Sequence, residues 1–112
     1  MERRKDILNE YKQRTLTGGV YRISNTVNGK YILGHTFDMG AMQNRFNFSL
    51  SSNSCIHPRM QEDWKEHGSK AFEFAVLESI EMKKEQGREE FLEDLKTLEG
   101  IWRSKLGAGR EY

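Results

Sequence analysis

Two short runs rich in β-branched and aromatic residues, Val20–Ser24 and Lys30–Leu33, are joined by Asn25-Thr26-Val27-Asn28-Gly29. Such runs suit a pleated, half-buried surface, and an Asn-Gly pair tolerates the positive φ of a tight reversal, so the stretch predicts a β-hairpin. Side chains alternate along a strand. Tyr21 and Ile23 are therefore expected on one face, and Val20, Arg22 and Ser24 on the other. Gly19 and Gly34 bracket the hairpin, where a missing Cβ lets a backbone or a substrate come close.

The flanking sequence supplies helices and one more strand. Ile7, Leu8 and Tyr11 fall at helical spacing within Lys5–Arg14, which predicts an N-terminal helical extension over residues 1–17. Asp38 is the expected N-cap of a helix reaching about Leu50, with Met42, Phe46 and either Phe48 or Ser49 as its apolar stripe. A second helix is expected from Pro58, suited to a first turn, to His67, stopped by Gly68. Residues Ala71–Ile80 alternate and then turn apolar, which predicts a third strand. Phe91, Leu92, Leu95, Leu98, Trp102 and Leu106 recur at three- and four-residue steps, so Glu89–Leu106 reads as a long helix. The expected fold class is α/β (α+β): a three-stranded antiparallel sheet flanked by helices. Residues 1–112 are expected to form one domain, with its core over 18–106 and a loose tail over 107–112.

Composition narrows the function classes. Cys55 is the single cysteine and cannot form an internal disulfide. No apolar run approaches the roughly 20 residues that cross a bilayer, and the charged start Met1–Asp6 is not followed by a signal-peptide core, so a cytoplasmic location and no membrane partner are expected. Net charge is +1, but residues 1–70 carry +4 and residues 71–112 carry −3. Between Thr15 and Pro58 the only acid is Asp38, against Arg22, Lys30 and Arg45. That stretch is a candidate phosphate-binding face. The histidines and the cysteine lack zinc spacing, and no phosphate-cradling glycine loop with a lysine is present.

Gly19-Val20-Tyr21, followed by Tyr31-Ile32-Leu33-Gly34, resembles the signature of the GIY-YIG nuclease superfamily, and the resemblance extends over about Gly18 to Leu106. It implies that the third strand is central and antiparallel. It also implies a catalytic set: Tyr21 orienting the attacking water or taking its proton, Arg45 stabilising charge on the phosphate, and Glu99, three residues before Trp102, holding Mg²⁺ or Mn²⁺. Tyr31 is the candidate second tyrosine. The family's place for it, two before the glycine, holds Ile32, and a one-residue shift turns a side chain to the opposite face unless a bulge restores it. Two usual histidine places hold Ser49 and Cys55, with His57 two residues beyond the latter, and the asparagine often found near the family's C-terminal end has no counterpart before Tyr112. Lys30, His35, His57 and Arg59 are the candidate nucleic-acid contacts. The implied function is a metal-dependent DNA endonuclease hydrolysing phosphodiester bonds. The alternatives are a catalytically impaired protein of the same fold that binds nucleic acid or a phosphate-bearing ligand, or a protein-interaction and regulatory module. Monomer and homodimer both remain open.

Overall fold

The predicted hairpin forms, and the other elements are stacked on it. The computed structural model of the chain describes residues 16–107 and 109–112; the helix expected over Lys5–Arg14 lies outside them. β1 (Thr17–Asn25) and β2 (Tyr31–Thr36) pair antiparallel in unbroken register, with Ile23 opposite Ile32 and Tyr21 opposite Gly34. Gly29 takes the positive φ of the turn, 76°. The side-chain oxygens of Asn25 and Asn28 each accept a backbone N–H two residues on, at 2.9 Å, which fixes the loop locally.

Helix α1 (Met39–Ser52) begins where expected, its N-cap Asp38 accepting the Ala41 N–H at 3.1 Å. Of the two candidates for its apolar stripe, Ser49 is buried and Phe48 faces solvent. The single helix expected over Pro58–His67 is split into a 3-10 turn, Pro58–Met60, and helix α2 (Gln61–His67). The His57 ring caps the turn by accepting the Arg59 N–H at 3.2 Å. β3 (Phe72–Glu81) and a long helix α3 (Arg88–Leu106) complete the described elements.

β3 pairs antiparallel with β1, so the strand order is β2-β1-β3. The expectation of a central third strand is thereby corrected. β1 takes the centre because it buries side chains on both faces, Ile23 on one and Val20 on the other. β3 carries Glu73, Glu78 and Glu81, charges that suit an edge and discourage further pairing there.

Helices cover both faces of the sheet. On one side Ile23, Ile32 and Phe72 pack with Met42 and Phe46 of α1 and with Met60 and Trp64 around α2. On the other, Val20, Tyr31 and Leu33 pack with Leu98, Trp102 and Leu106 of α3. Among the described residues no helix is long and apolar enough to cross a membrane.

The C-terminal residues are not a loose tail. Tyr31 N–H donates to the Arg110 carbonyl at 2.9 Å, and Tyr112 N–H donates to the Tyr31 carbonyl at 2.8 Å, a parallel bridge on the outer edge of β2. The Tyr112 hydroxyl donates to Asp63 at 2.6 Å and accepts from the Asn25 amide at 3.0 Å. Sequence pattern misses this strap because its partners are 49 and 87 residues away. Asn25 is fully buried and holds both the hairpin loop and the strap. Replacing it leaves the Val27 N–H and the Tyr112 hydroxyl short of a partner, so Asn25→Ala is expected to cost about 1–3 kcal/mol in urea unfolding; a smaller loss would mean that the strap carries little of the stability.

Candidate functional site

The site is assembled at the His35 end of β2, and its first constraint is steric. A Cβ on Gly34 would meet the Tyr21 hydroxyl at 2.6 Å and its ring at 2.7 Å. Only glycine lets the Tyr21 ring lie across β2 at this point. The ring is held from the other side by Phe74, with centroids 5.4 Å apart and planes 17° from parallel. Phe74 in turn packs on Phe46 of α1 at 5.7 Å. Tyr21 is thus fixed by both neighbouring strands and aimed toward β2.

Two charged side chains reach Tyr21 from different layers. Arg45 comes from α1 and is exposed, while Glu99 comes from α3. Both act on the phenol electrostatically. Burial chiefly raises the Tyr21 pKa above its usual value near 10, Glu99 raises it further, and Arg45 pulls it down. The phenol is therefore un-ionised at neutral pH, able to donate one hydrogen bond and accept others.

Glu99 is held at both oxygens. His35 Nδ1 lies 2.9 Å from Oε1, and Arg103 Nη1 donates to Oε2 at 3.0 Å. Arg103 also donates through Nε to Glu111 of the strap, at 2.8 and 3.2 Å. The Glu99 side chain retains 18% exposure. An ionised carboxylate offers roughly four acceptor positions, of which two are used, and a hard divalent cation can bind through one carboxylate with water filling its remaining positions. The donor set fits such an ion.

The other sequence candidates fall in different places. Tyr31 is not brought to Tyr21: the β1–β2 register has no bulge, so Ile32 shares the Tyr21 face and Tyr31 points toward α3, its hydroxyl donating to the Gly107 carbonyl at 2.9 Å. The irregularity in the sheet lies instead between β1 and β3, at Val20/Tyr21. His35, a candidate nucleic-acid contact, orients Glu99. Lys30 is exposed beside the Tyr112 ring, four residues from Gly34 and so about 13 Å along the strand. His57 and Arg59 line a polar cavity of about 280 Å³ with Arg103 and Glu111, floored by Ile32 and Leu33. Burial first, and then Arg59, lowers the His57 pKa, which keeps that ring neutral. Arg45 also lines a groove of about 430 Å³, together with Phe48, Cys55 and Ile56.

Arg103 and Glu111 were not among the sequence candidates. The Glu99–Arg103 step of four residues, acid before base, is a helix pair visible in the sequence. Nothing local announces Glu111. A separate group, Asp63, Glu66 and His67, brings three possible ligand atoms within 4.8 Å, but Asp63 is already the acceptor for Asn25, Asn28 and Tyr112.

The order of effects on Tyr21 fixes the sign of a titration. By near-ultraviolet absorbance, referenced to Tyr21→Phe, its ionisation is expected above pH 10, shifted down by Glu99→Gln and up by Arg45→Gln; the reverse order would show that the two charges do not face the phenol.

No family model matches the chain, and no curated protein matches its sequence. Solved structures do. The catalytic domain of the homing endonuclease I-TevI aligns with 84% of this chain and 96% of its own length, at 25% identity and a TM-score of 0.59. A glutamate-to-alanine mutant of the catalytic domain of the intron endonuclease I-TevI aligns with 81% of this chain and 84% of its own, at 24% identity and a TM-score of 0.57. The three-stranded antiparallel sheet with flanking helices is the fold of that domain, as the GIY-YIG resemblance implied.

Proposed function

From the fold of an endonuclease catalytic domain, we propose that this protein is a metal-dependent phosphodiesterase of the GIY-YIG type acting on DNA. The observation that supports the reading is that Arg45 of α1 and Glu99 of α3 both act electrostatically on the Tyr21 phenol of β1, which is itself seated over Gly34. Phosphodiester hydrolysis needs a positioned water, a cation for the phosphate oxygens and a site where the developing charge is stabilised. Those three groups supply them.

Arg45 is exposed and presents a planar guanidinium that can donate parallel hydrogen bonds to two phosphate oxygens. Tyr21, protonated at neutral pH, holds the attacking water by hydrogen bond, and its aim is fixed by the fit over Gly34. Glu99 would hold Mg²⁺ or Mn²⁺, which when bound supplies positive charge to the scissile phosphate. His35 and Arg103 keep the carboxylate facing the site.

One observation favours a second reading, binding without cleavage. Ile32 stands on the Tyr21 face where the family has its second tyrosine, and Tyr31 is committed to the opposite core. A site short of one hydroxyl can still grip a phosphate backbone.

Cleavage of supercoiled plasmid and short duplexes with Mg²⁺ or Mn²⁺ separates the two. The nuclease reading expects metal-dependent cutting, lost in Glu99→Ala and slowed about 10²–10³-fold by Tyr21→Phe or Arg45→Ala. A folded protein that binds duplex in a salt-dependent manner and cuts with neither ion would replace the nuclease by the binding module.

A further inference from the structure

The contact that the nuclease reading leaves unused is the second ion pair of Arg103. Helical spacing alone would place Arg103 against Glu99, and a lone Glu99–Arg103 pair is electrically neutral and ill suited to holding a dication. In the structure Arg103 is shared. Its Nε donates to both Glu111 oxygens, at 2.8 and 3.2 Å, while Nη1 donates to Glu99 Oε2, at 3.0 Å. Glu99 Oε1 is left to His35.

We propose that Glu111 is a positioning residue for the cation site: carried by the C-terminal strap, it takes up the charge of Arg103 so that Glu99 keeps its own negative charge for a divalent ion. The proposal rests on the reading of Glu99 as the residue that holds the ion. With Glu111 in place the Glu99–Arg103–Glu111 group carries a net −1; without it the group is neutral. Glu111 is set between two anchored neighbours. The Arg110 carbonyl accepts the Tyr31 N–H, and the Tyr112 N–H donates to the Tyr31 carbonyl, so the side chain between them has a fixed origin. Tyr112 is fastened again at its hydroxyl by Asp63 and Asn25. A guanidinium is permanently charged, and Arg103 divides its donors between the two carboxylates. Groups that hold a metal's ligand from behind typically alter metal affinity about 10–100-fold when changed.

The test reads Mn²⁺ binding to the full chain without DNA, by the paramagnetic resonance signal of the free ion, so it does not depend on cleavage. Loss of binding in Glu99→Ala identifies the site. Glu111→Gln keeps the shape and an acceptor oxygen but removes the charge, and is expected to weaken Mn²⁺ about tenfold. Arg103→Met leaves two uncompensated carboxylates and is expected to bind Mn²⁺ more tightly than the wild type. The double variant, with the net charge restored to −1, is expected to return to wild-type affinity. Glu111→Gln binding like the wild type, or a double variant as weak as Glu111→Gln, overturns the proposal while leaving Glu99 and the nuclease reading intact. If Glu111→Gln does not fold, Arg103→Met alone decides, and weaker binding overturns the proposal. A wild-type chain that binds no Mn²⁺ removes the ion from the nuclease reading and this inference with it.

Discussion

Strand β1 has to satisfy two cores at once. Its odd-numbered side chains, Tyr21 and Ile23, lie against the layer of α1 and α2, while Val20 lies against α3. A slip of one residue would exchange the two sets and put Arg22 where Ile23 belongs, so the register of β1 is specified from both sides. The chain absorbs the remaining mismatch at the bulge between Val20 and Tyr21, on the β3 side, where the β1–β2 ladder stays regular. The aim of Tyr21 follows from that arrangement: a regular ladder places it opposite Gly34, and the irregular one places Val76 on its other flank.

The same parity rule decides what the sequence could and could not show. The hairpin, its glycine turn and the cap at Asp38 rest on interactions a few residues long, and each was legible. Strand order was not, because it depends on how β1 and β3 differ in burial across some 50 residues, a comparison that local pattern does not make. Tyr31 was left open between two readings, a bulge or an absent second tyrosine. The regular register settles its direction: the hydroxyl belongs to the α3 core and closes on Gly107.

The candidate site was legible in part for a related reason. Tyr21, Arg45 and Glu99 were singled out by likeness to a known pattern, and in the fold Arg45 and Glu99 both act on the Tyr21 phenol. Their environment was not found that way. His35 reads as a basic residue at a strand end and turns out to grip Glu99; Arg103 reads as a surface helix charge and turns out to bridge two acids. The His35–Glu99 pair spans 64 residues and leaves no periodic signature, and Glu111 lies beyond the helix whose spacing makes Glu99–Arg103 visible. Drawing the site from two helical layers also gives it its electrostatic character: the cation of Arg45 and the anion of Glu99 act on the phenol in opposite directions.

The strap sets the order in which the molecule can be completed. The hairpin closes a loop of only a few residues, between Asn25 and Lys30, and needs nothing distant to begin. β3 must return across about 50 residues to find β1, and the strap joins Asn25 to Tyr112 across 87. Closure entropy rises with separation, so contacts this far apart come late in folding. The long closures of β3 and the strap both bear on the Asn25 end of β1, so pairing across the chain, and not the hairpin alone, sets how slowly the fold is completed.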